Sequence, residues 1–437
     1  MSNNGAATWR HVRRLLCAGV LFALAGCATY TASMQRVDSA LLAQNPAAAL
    51  KALQPMAGGR DQTLYLLNKA MILRMQDDYA DSVAAFEQAK HLMNYLEATS
   101  ISENAAALTL TENLRSFQGE LYERLLLHVY QGLNYLQIGD ADSARVEVQQ
   151  IDDLLKRLYP GTDAAPNGGD AFARYFSALV YEDAGDPSDA MIAYRKTYQA
   201  YHAEGVADAN MPQDLQVSLC RFADYLGLDQ ERDDYQRRFG IESWPPVLPA
   251  GGDPDGQLVF VFSNGLAPRK LAVTSVVQDP VSGHFFSISL PRLQRRRPAV
   301  NNASIEIAGQ SAVTRQVESV DYDATRALGV KIPRLTAYEI SRNVARQALA
   351  NQADKRQQGV GALLSFIGTA VDQADTRIWN TLPDDIQLAR LRLPPGSYDL
   401  SVSLRGDGGN TVRSKTFGNV LIKPGRIMFT AWHVVSY

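Results

Sequence analysis

The 437-residue chain reads as an α+β multidomain protein: an N-terminal helical-repeat α-solenoid, then a β-rich, sandwich-like domain with inserted helices. Two changes of pattern predict this. From about Met34 to Phe239 apolar residues recur at three- and four-residue spacing, the period of an amphipathic helix. After a stretch crowded with Pro245, Pro246, Pro249, Gly251, Gly252, Pro254 and Gly256, the period drops to two, as in strands. Hydrophobic residues make up 46% and charged ones 20%, a balance that supports packed cores rather than disorder.

Within the helical half three stretches share a finer pattern. The first runs Ala70, Asp78-Tyr79, Phe86 and Ala89; the second has Gly132, Tyr135, Gly139-Asp140 and Ala144; the third has Ala178, Tyr181, Gly185-Asp186, Ala190 and Tyr194. Small residues sit where two helices touch, aromatics wedge between them, and Gly-Asp marks the turn. This resembles the tetratricopeptide repeat. The turns fall near 77, 139 and 185, so extra helices are expected between units, one of them around 97–118. A pair at 213–226 and 229–239 is predicted to close the array. The groove of such an array would be lined by Leu64, Leu67, Met71, Leu126, Val129, Leu133, Leu136, Phe172, Tyr175 and Leu179. Of these, Leu67, Met71, Leu133, Leu136, Phe172, Tyr175 and Leu179 are the candidate binding groove. So apolar a face must be covered, either by the chain's own C-terminal part or inserted helices, or by a partner helix.

Strands are expected at 258–262, 271–278, 284–290, 303–308 and 312–320. Helical pattern returns from about Asp323 to Asp375, and strands follow at 386–393, 397–404, 416–422 and 426–435, with a hairpin loop at Gly406–Asn410. The run Gly359–Val371 is mostly apolar but too short to span a bilayer; it reads as a buried helix, or as a membrane-apposed or oligomer-forming one. Arg292, Arg295, Arg296 and Arg297 form a basic loop, either solvated or in contact with phosphates or cell-wall carboxylates.

The N-terminus carries its own message. Arg10, His11, Arg13 and Arg14 precede an apolar run from Leu15 to Leu24, which ends in Leu24-Ala25-Gly26-Cys27. This looks like the lipobox of bacterial lipoproteins, in which the thiol accepts diacylglycerol and Cys27 becomes the acylated mature N-terminus. Ala28, where an Asp would resemble an inner-membrane retention signal, points to the periplasmic face of the outer membrane. The limits that follow are a signal peptide at 1–26, a lipidated tether at 27–36, the repeat domain at 37–240, a linker at 241–256 and the β-rich domain at 257–437, with its helical insertion at about 323–375.

Chemistry is scarce. Removing the three leader arginines leaves 40 basic against 46 acidic residues, a poor balance for nucleic acid. The mature body keeps one cysteine besides Cys27, Cys220, read as a small buried residue; no Cys/His cluster suggests a metal. His91, His128, His202, His284 and His433 are not spaced as ligand pairs, and no nucleophile elbow or phosphate loop occurs. Asp152-Asp153 and Asp384-Asp385 are read as helix-capping or solvated acids. No enzyme activity, cofactor or metal is expected.

Asn264–Lys270 after a strand, Asp375-Thr376-Arg377-Ile378-Trp379-Asn380-Thr381-Leu382-Pro383, Ala389-Arg390-Leu391 and Leu393–Tyr398 resemble, together with the repeats, an uncharacterised family of Gram-negative outer-membrane lipoproteins. The resemblance spans nearly the whole mature chain. It implies no activity. It does imply a setting, because members often occur beside lipoproteins that activate peptidoglycan synthases. The expectation is a non-catalytic scaffold for unidentified envelope proteins; the alternative is a subunit of a homo-oligomeric envelope ring or export assembly.

Overall fold

Among the described residues, ten helices of the N-terminal half fold as five antiparallel pairs: α1 (Tyr30–Leu42) with α2 (Pro46–Leu53), α3 (Gln62–Arg74) with α4 (Tyr79–Ser102), α5 (Leu121–Gln137) with α6 (Ala141–Leu158), α7 (Ala171–Asp183) with α8 (Pro187–Ala203), and α9 (Gln213–Tyr225) with α10 (Asp229–Phe239). The computed structural model describes residues 30–102, 116–162, 165–166, 168–248, 252–278, 285–356 and 374–436. Cys27, the Gly359–Val371 run and part of the extra helix expected around 97–118 lie outside them.

The expected turns are where the chain reverses. Gly139 and Gly185 take φ of +83° and +74°, a left-handed conformation that a side chain disfavours. Asp140 then caps α6 by accepting a hydrogen bond from the Ser143 amide. Ala144 and Ala190 are fully buried, as the repeat register requires. Gly132 allows a close approach: a Cβ there would sit 2.8 Å from the Phe176 ring on α7.

One boundary moves. The expected tether at 27–36 already belongs to α1 from Tyr30, because Tyr30 and Met34 find apolar neighbours and are buried.

Among the described residues, the β-rich half holds two four-stranded sheets and a separate hairpin. The first sheet has the order β10-β1-β7-β6, with β1 (Gly256–Asn264) parallel to β10 (Ile427–Val434) and antiparallel to β7 (Asp385–Leu393); β6 is Arg315–Ser319. The second is antiparallel, β5-β4-β8-β9, from Gln310–Val313, Val300–Ile307, Gly396–Gly406 and Thr411–Ile422. The hairpin joins β2 (Arg269–Gln278) to β3 (Phe285–Gln294). A long helix, α11 (Val320–Arg356), leaves β6 and packs along β3. It starts three residues before the expected insertion.

The run Leu258–Phe262 reads as unbroken apolar sequence because β1 is buried on both faces. Leu258, Phe260 and Phe262 point to the second sheet and form a sandwich core with Ile305, Leu404 and Trp432. Val259 and Val261 point the other way, into the core of the helical half. The first sheet is therefore shared between two cores.

Candidate functional site

The expected groove exists, and the chain fills it. Leu67, Met71, Leu133, Phe172, Tyr175 and Leu179 are all buried, and Leu136 is half-buried against the same core. Twelve of the thirteen residues of α7 are buried, so this helix is enclosed all round rather than on one face. Phe429 of β10 meets Phe176 edge-on at 6.3 Å, and Ile386, Leu388 and Val317 join the same cluster. An open partner groove at these seven positions is thus corrected to a buried interface. The physical reason is already in the sequence: so apolar a concave face must be covered, and the nearest cover is the chain's own sheet.

Polar contacts fix how the sheet sits. Tyr130 and Ser263 hydroxyls meet at 3.0 Å, and Gln137 Nε2 donates to the Phe429 carbonyl at 2.8 Å. The Tyr201 hydroxyl donates to the Val317 carbonyl at 2.7 Å. Glu182 on α7 is gripped by Arg221 from α9 and Arg390 from β7, each arginine almost fully buried. Burial alone would raise the Glu182 carboxyl, but the two arginines hold it well below the usual carboxylate range. Asp183 accepts from Arg426 at 2.7 Å and from the Ile427 amide at 2.7 Å.

The strand-leading segment around Trp379 makes a second plug. The indole is fully buried, 5.7 Å from the Phe86 ring and nearly perpendicular to it. The Trp379 amide donates to Glu123 Oε1 at 2.7 Å, Asn380 Nδ2 donates to Asp38 at 2.5 Å, and the Thr381 amide donates to Asn68 at 3.1 Å. Burial, with Glu120 nearby, pushes the Glu123 carboxyl up to about 7.

The basic loop divides into two uses. Arg296 is buried, donating to the carbonyls of Ala267 and Asn380 and pairing with Asp38 at 3.1 Å. Arg295 takes both carboxylate oxygens of the buried Asp384, at 3.0 and 2.8 Å. Only Arg292 and Arg297 of the four are exposed and outside such clamps. Asp384 and Asp385, expected to be solvated, are buried at the start of β7, where Asp385 accepts from Asn264 and Gln387. Cys220 is buried, with its thiol pushed up to about 11.

Sequence reasoning missed an acidic cluster at the seam. Glu318 from β6, Asp323 from α11 and Glu204 from the end of α8 converge beside Gly168 and Gly169, where Glu204 accepts from the Gly169 amide at 2.8 Å. Burial and mutual repulsion push Asp323 and Glu204 up to about 8 and Glu318 well above its ordinary value. No local signal marks these acids, because 114 residues of chain separate Glu204 from Glu318. No group of three or more His, Cys, Asp or Glu among the described residues is arranged to hold a metal ion.

An open cleft of about 240 Å³ lies between α4, α5 and α6, lined by Lys90, Arg124, His128, Asp153 and Arg157 among others. Its charges are neutralised from within: Lys90 and His128 both reach Glu147, at 2.8 and 2.7 Å, and Arg124 and Arg157 both reach Glu97. His128 and Glu147 form a base-and-orienter pair, yet no Ser, Thr or Cys lines the cleft to serve as a nucleophile.

Fold and site together define a class: a tetratricopeptide-like helical array whose groove is occupied by one sheet of a β-sandwich. No family model and no curated protein matches the chain. A solved tetratricopeptide repeat protein from Parabacteroides merdae is similar over 48% of this chain and 92% of its own length, at 12% identity and a TM-score of 0.16. So loose a likeness carries no functional argument, and the repeat assignment rests on this chain's own helix pairs and turns.

Proposed function

We propose that the protein is an envelope lipoprotein, anchored through Cys27 at the periplasmic face of the outer membrane, and that its mature part is a non-catalytic scaffold for other envelope proteins. The observation that carries the scaffold reading is the shared core. With sheet and helices joined through Glu182, Asp183, Trp379 and Tyr130, the two halves form one rigid body that offers partners its outer surfaces. Partner binding on this reading uses the outer helices, the β2–β3 hairpin or the exposed Arg292 and Arg297, and not the groove. A role in cell-wall synthesis or envelope maintenance fits such a body.

The anchor is tested directly. In cells fed an alkyne fatty acid, Cys27→Ala should abolish label and leave the leader uncut; undiminished label would refute it. The scaffold is tested by cross-linking in intact envelopes with a photoreactive residue at position 292 or 297. Defined adducts to other envelope proteins support it, whereas adducts only between copies favour the homo-oligomeric ring.

A further inference from the structure

The β2–β3 hairpin stands apart from both sheets. Its two ten-residue strands extend roughly 33 Å, and towards its distal end Val276 and Phe285 are each 70% exposed. In the pairing register Gln278 faces Phe285 and Val276 faces Ser287, so Val276 and Phe285 are diagonal neighbours on one face. Two such residues side by side at the end of a projecting strand pair call for an apolar surface to meet.

The base of the hairpin lies where the polypeptide leaves its anchor. Thr31 Oγ1 donates to the Lys270 carbonyl at 2.6 Å, and Asp38 of α1 pairs with Arg269 at 2.9 Å. Only Ala28 and Thr29 separate Cys27 from Tyr30, a covalent reach of about 11 Å at full extension. A lipid on Cys27 therefore holds the hairpin base within a short distance of the bilayer. Charge is in keeping with this: exposed Arg297 lies in the loop beyond that base, while the mature chain as a whole is acidic. Arginines suit lipid phosphates.

We propose that the β2–β3 hairpin is a membrane contact, with Val276 and Phe285 seated among the lipids and Arg297 on the headgroup phosphates. The inference rests on the Cys27 anchor of the proposed function. Once anchored, the contact is intramolecular in effect, so a pair of apolar side chains suffices where free protein would need far more. The second contact fixes the tilt of the whole rigid body over the membrane, which a lipid on a short tether leaves free.

The test uses the full-length, cell-processed protein reconstituted into vesicles of phosphatidylethanolamine and phosphatidylglycerol. Val276→Cys and Phe285→Cys carry an environment-sensitive fluorophore; Val412→Cys, 50% exposed on β9, is the control. The buried Cys220 thiol is shielded from the label. Spin-labelled lipids should quench positions 276 and 285 several-fold more than 412, with blue-shifted emission, and Arg297→Glu should reduce the difference. Mass spectrometry of the N-terminal peptide reads the lipid on Cys27 separately. Lipid on Cys27 with no excess quenching overturns the hairpin contact alone, as does blue-shifted emission that depends on protein concentration, which would mean a second copy covers the hairpin. An unlipidated Cys27 overturns the anchor and the inference with it.

Discussion

Replacing Trp379 by Ala should weaken both halves of the molecule at once. The indole is fully buried between the helices and the returning chain, against Phe86. A buried Trp removes some 150–250 Å² from water, and at about 25 cal/mol per Å² that is ~4–6 kcal/mol. Measured Trp→Ala losses run at roughly 3–5 kcal/mol, because the site relaxes only partly. The backbone bonds of Trp379 and Thr381 to Glu123 and Asn68 remain available in the variant, so the loss reports packing. Urea unfolding should be followed by far-ultraviolet circular dichroism at helix-weighted and sheet-weighted wavelengths. With a slope of about 3 kcal/mol/M, the midpoint should fall by roughly 1 M or more in both signals. A helical transition that keeps its midpoint while the sheet signal moves would refute the shared core, and so would a loss under about 1 kcal/mol.

Further expectations follow from the same contacts. The acids Glu204, Glu318 and Asp323 have raised carboxyls in the folded protein, so they bind protons that the unfolded chain releases. Their stabilising contribution is complete below the ordinary carboxylate range and is lost as pH rises towards about 8. Glu318→Gln/Asp323→Asn should accordingly gain on the wild type between pH 5 and pH 8, by an amount on the order of several kcal/mol, in melts at a series of pH values; a difference independent of pH would contradict the cluster. Glu182→Ala strands Arg221 and Arg390 in the interface and should cost about 3–5 kcal/mol by chemical denaturation; a loss near that of a surface substitution would mean the arginines find other partners. Ala144→Leu overfills a tight contact between α6 and its neighbours and should cost roughly 1–3 kcal/mol, and an unchanged melting temperature would show the repeat register to be misplaced.

Much of the fold was legible because its signals are local. Gly139 and Gly185 announce turns through backbone sterics, with Asp140 adding a cap, and all ten described strands fall in or beside alternating or continuous apolar runs. The site was legible in one respect and not another. Helical periodicity marks the groove positions as an apolar face; that they share one core with Phe429, Ile386 and Val317 it does not reveal, since periodicity records that a face is buried and not by what. Charge was misread for the same reason. Arg295 and Arg296 look like Arg292 and Arg297 in sequence, yet Asp384 and Asp38, distant in the chain, clamp the first two, and Arg296 is buried.

By itself the sequence determined the helical pairs, the switch to strands after the Pro/Gly stretch, and the expectation of a lipid on Cys27, because each depends on neighbours within a few residues. Only the tertiary structure decided that the two halves share one core, that the candidate groove is occupied, and that three acids meet at the seam. Those outcomes depend on contacts between residues more than a hundred positions apart. Burial that removes water from both partners supplies most of their free energy, and no single segment carries that quantity.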